Sequence, residues 1–446
     1  MIQAIRNAVT LPDLRRKLFY TLLILVVYRV AAHVPVPGVD QQALRAMLAG
    51  TGGTSQLFNL LNMFSGGAVA NFSVMANGVY PYITATIIFQ LLTPIIPALD
   101  RLSQEGEAGR RKLNQWQYYS AIPLALLQAY GQARISSAGV TGSPVLPTFG
   151  FSPAENILPT VAILTSMTAG TMFAIWLGEL ITEQGIGNGL SLIIFSGIVA
   201  SVPQNIARIW FDAQGIGAGG AGMGVLMIAI FILILAVTMF VIVVVQEGER
   251  RIPVQYGKRV RGIKMYQGGS THIPLKVNTA GMIPLIFAQS FLTFPAVIAQ
   301  FLVGSGNPTV NRVATWTMDF FSGQSPWYGL LFFAAVVGFT YFYTDVMVQQ
   351  QDLPGTLQRQ GGFIPGIRPG KRTADYINYV YRRITLAGAL FLGGVAVLPY
   401  VVDLVLQTRV MVITASGLLI VVGVVLDTMR QLEAQLLMRH YEGFIK

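Results

Sequence analysis

Apolar runs recur along the whole chain, each closed by a charged, glycine-rich or proline-containing break. Their lengths predict ten membrane-spanning helices, at 18–32, 79–96, 116–135, 157–181, 190–202, 223–245, 282–303, 327–348, 384–404 and 410–429. At 1.5 Å per residue, about 20 apolar residues cross a hydrocarbon core. Ahead of the first span, residues 1–17 set Ile2, Ile5, Val9 and Leu11 against Arg6, Arg15, Arg16 and Lys17, a pattern for an amphipathic helix lying on the membrane. A basic flank before an apolar run also describes a cleavable leader, but no A-x-A site follows, so the first span reads as retained. The fifth run is short; it tilts little, stops inside the membrane, or continues past Pro203.

Residues 59–97 are unlike the rest. Their first part, about 64–77, is broken by Gly66, Gly67 and, just beyond it, Gly78, too apolar for an exposed loop and too interrupted to span. Irregular backbone at membrane depth is tolerated only where protein or a water-filled cavity surrounds it. The stretch is therefore either a re-entrant segment beside a cavity or a loop lying on the surface. The second span follows it directly.

Lysine and arginine mark the sides. They gather at 6–17, 101–112, 250–276, 359–383 and 430–446, whereas the opposite side holds only Arg45, Arg134, Arg208, Arg312 and Arg409. Positive charge accumulates in cytoplasmic loops, which places both termini in the cytoplasm. The organisation expected is an N-terminal half (18–203), an external hinge loop (204–222), a C-terminal half (223–429) with cytoplasmic loops at 246–279 and 349–383, and a cytoplasmic tail (430–446). Five spans per half is an odd number, so halves that repeat each other would be inverted about an axis in the membrane plane.

Composition agrees: 446 residues, 53% hydrophobic, 11% charged and a mean hydropathy of +0.58 exclude an ordinary soluble fold. The net charge of +11 fits basic cytoplasmic loops. With no cysteine and three scattered histidines, no metal site is expected, and no cofactor. The glycines of 215–220 follow no strand, and GIRPGKRT is one residue short of a phosphate loop and carries Pro365 and Pro369. Any nucleotide chemistry belongs to a partner.

Arg29, Glu179, Asp345, Asp403 and Asp427 fall near span ends, so deep coupling carboxylates are missing. That weakens, without removing, the alternative of a ten-span secondary transporter of a small solute. A non-transporting scaffold would account for the loops but not for the glycine-broken segment. Ile83 with Ile87, and Ile194 with Ile198, lie four apart and share helical faces. Such faces serve core packing, lipid contact, or an apolar constriction that blocks ions by dewetting. Basic residues alternate with Val254, Tyr256, Val260 and Tyr266 in the first large loop, which predicts a hairpin. Both large loops suit anionic lipid, RNA or an acidic protein surface.

NMFSGGAVANFSV, PYITATII, EGEAGRRK, GELITEQGIGNGLSLIIFSGIVA, ERRIPVQYGKR, THIPLKVNTAGMIPLIFA, GGFIPGIRPGKRTADYI and GLLIVVGVVLDT together resemble the SecY family of bacterial protein-conducting channel subunits. The resemblance implies an all-α polytopic membrane protein of the bacterial cytoplasmic (inner) membrane, its ten helices in two inverted halves around a pore. A plug at about residues 64–77 is implied, with Phe64, Ser65, Gly66, Gly67, Phe72 and Met75. Ile83, Ile87, Ile194, Ile198, Ile286 and Ile420 match the family's pore ring, and Thr86, Gln90 and Gln289 its lateral gate. Arg368 matches a contact for the SecA motor, and Arg250, Arg251, Lys258 and Arg259 lie in the loop that resembles the ribosome-docking hairpin. Also implied are the SecE and SecG subunits, secretory polypeptide substrates, rRNA contact and anionic lipids. Where the family commonly has FALGIMPYI-like sequence, this chain has MANGVYPYI at 75–83; Asn77 suits a left-handed hinge beside Gly78.

Overall fold

The computed structural model describes residues 11–44, 65, 67–137, 144–150, 157–215, 220–256, 259–261, 264–266, 269–302, 308–321, 326–351, 353–406 and 415–442. Of the amphipathic helix expected at 1–17, residues 1–10 lie outside them, and 12–17 are continuous with the first span in one helix. The chain divides into two compact units, Met1–Gly224 with Ser290–Tyr328 and Ile420–Lys446, and Val225–Gln289 with Gly329–Leu419.

The first unit begins with α1 (Pro12–Ala31), opened by proline at its first position and continuous from the basic flank into the first span. After the glycine-broken segment come α2 (Tyr80–Leu92) and α3 (Pro97–Gln104), then α4 (Glu107–Ser137), α5 (Ile157–Gln184) and α6 (Gly189–Gly215). The second span is shorter than expected: α2 ends after 13 residues and the chain turns by 100° into α3. Pro94 withholds an amide there and Pro97 starts the next helix. The charged stretch expected as a loop, 100–115, is instead helical in α3 and the start of α4. α6 continues through Pro203, the last of the three courses open to the fifth span.

α4 is the hub. Ala121, Ala125, Ala129 and Ala133 recur every four residues and are all fully buried, so one face of small side chains lets neighbours approach closely. Ala85 of α2 packs there with Ala121 and Ile175 of α5. At the α5–α6 turn a Cβ on Gly189 would stand 1.8 Å from the Gly178 carbonyl oxygen, so only glycine fits. α13 (Ala415–Glu442) belongs here through its second part. Met429 and Leu432 pack with Leu14 and Ile186, and Gln431 Oε1 accepts the Gly187 amide at 2.8 Å. The polar tail expected from 430 is thus helical to Glu442. α9 (Pro308–Phe321) occupies a stretch expected as a loop.

The second unit holds α7 (Gly220–Glu247, from Val225 on), a small sheet, the start of α8 (Ile283–Leu302), α10 (Pro326–Gln351, from Gly329 on), α11 (Leu353–Gln360) and α12 (Lys371–Leu406). The hairpin expected at 246–279 forms: β1 (Glu249–Tyr256) pairs antiparallel with β4 (Ser270–Lys276), in register Ile252 to Ile273. Its far end carries β2 (Arg259–Arg261) and β3 (Lys264–Tyr266). β5 (Gly362–Phe363) adds to the other edge of β1, giving the order β4-β1-β5. Ile252, Val254 and Leu275 point inward against Leu357 of α11, Ile364, and Ile377 and Tyr381 of α12. Two basic segments a hundred residues apart therefore share one core.

Among the described residues, α5, α7, α10 and α12 are long and apolar enough to cross a membrane, and the bent α2–α3 pair would make a fifth. The other expected spans each coincide with a helix that falls short of that measure.

Candidate functional site

The glycine-broken segment is enclosed by the first unit. Ser65, Ala68, Val69, Phe72, Ser73, Met75, Ala76, Asn77 and Val79 are all buried. Val69, Phe72 and Ala76 share a core with Val36, Leu44, Ala129 and Ala133 of α4, Leu146, and Ile163 and Met167 of α5. Phe64 and Gly66 lie outside the described residues.

Backbone bonds seat it. The Val36 amide donates to the Phe72 carbonyl at 3.0 Å and the Val74 amide to the Val34 carbonyl at 3.0 Å, a bridge centred on Pro35 and Ser73. The Tyr28 hydroxyl of α1 donates to the Ser65 carbonyl at 2.6 Å. Inside the segment, Ser65 Oγ accepts the Val69 amide and Ser73 Oγ the Met75 amide. Gly67 has φ +91° and Gly78 φ +55°, values that suit glycine; Phe72 at φ +42° is the non-glycine residue forced into the same region. On the outer side, α5 closes in: a Cβ on Gly170 would lie 2.1 Å from the Val74 carbonyl oxygen.

The left-handed conformation expected of Asn77 falls instead on Gly78 and Phe72. Asn77 acts through its side chain: Nδ2 donates to the Ala125 carbonyl of α4 at 3.0 Å, while Oδ1 is buried without a hydrogen-bond partner among the described residues. Nothing in the segment's hydropathy signalled the bridge to 34–36 or this anchor.

Of the isoleucines expected at a constriction, Ile87 of α2, Ile194 and Ile198 of α6, Ile286 of α8 and Ile420 of α13 are buried, and Ile83 is half-buried. Of the expected gate residues, Thr86 Oγ1 lies 3.5 Å from Gln117 Oε1 of α4, which turns it toward α4. Gln90 is half-buried on the same helix and Gln289 is buried on α8. Glu179, expected near a span end, accepts a hydrogen bond from the Tyr118 hydroxyl.

The expected docking residues lie around the small sheet. Arg250 and Arg251 are exposed on β1, and Arg251 pairs with Glu249 at 2.6 Å. Lys258 lies outside the described residues, and Arg259 begins β2. Arg368 projects from the turn between β5 and α12. Gly366 (φ +83°) and Gly370 (φ +107°) shape that turn, and the Thr373 hydroxyl donates to the Arg368 carbonyl at 2.9 Å. Among the described residues no cluster of His, Asp or Glu is arranged to hold a metal.

One unit of helices that encloses an irregular apolar segment, and a second of long apolar helices that carries a basic sheet, are features of a membrane channel of the protein-conducting class. Solved structures share the fold: one of a protein-conducting channel superposes with a TM-score of 0.63 at 16% identity, covering 94% of this chain and 91% of that one. Sec61 in the canine ribosome-channel complex gives 0.62, with the same identity and coverage. The chain belongs to the SecY family, whose profile matches residues 73–429. It is 41% identical to protein translocase subunit SecY of Streptomyces galbus and 42% identical to that of Halalkalibacterium halodurans, each over 100% of both chains.

Proposed function

We propose that this protein is the channel subunit through which unfolded secretory polypeptides cross a bacterial cytoplasmic membrane, and from which transmembrane segments pass sideways into lipid. The observation that carries the reading is the 65–79 segment, buried and held by backbone bonds, in a chain of the SecY family. It serves as the plug. The ten spans form two inverted halves, 18–203 and 223–429, with both termini cytoplasmic; the basic loops of the sequence support this orientation.

The six isoleucines form the constriction. An apolar ring holds no water column, so ions stop while a flexible chain of any sequence can push through. The ring has no chemistry to perform; the protein works as a channel, not as an enzyme. Sorting falls to the lateral gate, for which Thr86, Gln90 and Gln289 are the candidate lining residues. At the span centre a Leu or Val gains several tenths of a kcal/mol on entering lipid and a Lys or Asp loses about 3 kcal/mol. A gate that lets each segment sample lipid therefore separates spans from secreted chain by partitioning.

The free energy comes from outside: SecA hydrolysing ATP, ribosomal elongation, or the proton-motive force. SecA engages Arg368, and the ribosome engages the hairpin through Arg250, Arg251, Lys258 and Arg259. SecE and SecG complete the complex, and anionic lipids support the basic face. Channels of this fold have been solved as ribosome complexes, the canine Sec61 among them.

The test uses the cysteine-free sequence. Ile83→Cys, Ile286→Cys and Phe240→Cys, a lipid-facing control, are each probed for crosslinking to a secretory protein arrested by a folded C-terminal domain. Adducts at both ring positions and none at the control are expected. Delivery of substrate without ring adducts would move the pore elsewhere; failure of any arrested chain to associate would favour small-solute transport.

A further inference from the structure

Within the second unit, α10 and α12 leave between them a cavity of about 160 Å³, lined by Tyr341, Thr344, Asp345, Val348, Asn378, Tyr381, Arg382 and Thr385. On that measure a single water needs roughly 10–15 Å³, so the space suits a larger group. Tyr381 and Val348 also pack under the sheet, and the rest of the cavity lining serves none of the sites described above. Its floor is hydroxylic: Thr344, Tyr381 and Thr385 are each nine-tenths or more buried, yet none hydrogen-bonds another described residue. Their oxygens are not sealed away, since none is among the atoms lost to solvent contact. Burial also holds the Tyr381 hydroxyl above the ordinary tyrosine pKa, so it remains a donor.

The rim carries one charge of each sign. Asp345 and Arg382 are exposed at the mouth, and neither is within ion-pair distance of the other or of another described residue. The neighbouring Arg383 is turned onto the Tyr379 ring, 4.3 Å from its centroid. The pocket is thus neutral overall but dipolar, with donors in its floor. By sequence, α10 leaves the hydrocarbon near Val348 and α12 enters it near Ile384, so this dipole sits at headgroup depth. Below Arg382 on the same face of α12, at successive four-residue steps, Leu386 and Leu390 are each about half exposed, an apolar track running into the membrane.

We propose that this cavity binds a zwitterionic phospholipid with a primary ammonium headgroup, its phosphate on Arg382 and the floor hydroxyls, its ammonium on Asp345, and an acyl chain along Leu386 and Leu390. A guanidinium matches phosphate through paired donors, and a carboxylate accepts the N–H groups that ethanolamine has and choline lacks. An anionic headgroup would meet Asp345 with repulsion. A soluble zwitterion would leave the apolar track unused.

The complex carrying the full chain is delipidated in mild detergent. It is then offered equimolar phosphatidylethanolamine, phosphatidylcholine and phosphatidylglycerol of matched chains, and retained lipid is counted by native mass spectrometry. Wild type retains phosphatidylethanolamine preferentially. Arg382→Gln and Asp345→Asn each lower that retention about tenfold, the weight of one lost charge-assisted bond. Asp345→Asn also raises phosphatidylglycerol relative to phosphatidylethanolamine, which loss of folding would not do. Equal retention of the three lipids by wild type, preference for phosphatidylglycerol, or unchanged retention by both variants would overturn the proposal. Should either variant fail to fold, a photoactivatable phosphatidylethanolamine on wild type decides: adducts within 341–348 and 378–390 uphold the site, and adducts elsewhere refute it.

Discussion

At Asn77 one side chain both holds the buried 67–79 segment and weakens it. Nδ2 ties the hinge to the Ala125 carbonyl, but the buried Oδ1 has no partner among the described residues, and such an acceptor costs about 1–3 kcal/mol. Leucine removes the unpartnered acceptor, while the Ala125 carbonyl keeps its bond within α4; a buried carboxylate instead adds an unpaired charge. Asn77→Leu is expected to keep or slightly raise the thermal midpoint of the purified complex, and Asn77→Asp to lower it sharply. Equal loss in both would mean that the amide is fully satisfied. Gly170 and Gly189 act oppositely, by absence: their hydrogen atoms face carbonyl oxygens at distances where a methyl group has no room.

Elements show where hydropathy is a sufficient guide and where it fails. Each apolar run coincides with a helix, four of them long and apolar enough to cross a membrane, because burial in lipid imposes a continuous pattern that no tertiary contact is needed to complete. Period-two alternation likewise revealed the hairpin of β1 and β4. The misses have physical causes. α13 runs past 429 because Met429 and Leu432 keep helical spacing inside a charged stretch, packing on Leu14 and Ile186. α2 stops early because Pro94 and Pro97 override apolar content. The pairing of 72–74 with 34–36 is made between the backbones of distant residues, which leaves no trace in side-chain type. Arg368 was visible only by resemblance, and its setting explains its presentation: a rigid turn on the β5 edge. Two substitutions separate presentation from contact. Val254→Asp, at a fully buried position, is expected to collapse the sheet and abolish motor and ribosome binding together with local protease resistance. Arg368→Glu is expected to spare protease resistance while weakening SecA-driven translocation at least about tenfold, in line with losing a charge-assisted contact.

Over the whole molecule, charge and hydropathy are segregated rather than mixed. A net +11 on a chain with 11% charged residues concentrates at the sheet, the GIRPG turn and the basic flanks. Such a surface attracts polyanions from a distance, and salt weakens it. Binding of empty ribosomes to reconstituted protein is expected to fall roughly 10²-fold between 50 and 200 mM salt, as for a few neutralised phosphates. Ring crosslinking of a chain already arrested in the pore is expected to be indifferent to salt, because its contacts are apolar. Salt sensitivity of both would place charged groups in the path.

The bridge between 34–36 and 72–74 bears on how this lineage can drift. Its donors are the main-chain amides of Val36 and Val74, which nineteen of the twenty amino acids supply equally. Descendants can exchange the partly exposed side chains of the segment, such as Ala70 and Asn71, and still inherit the same pairing. Proline at Val36 or at Val74 would remove one of its two bonds.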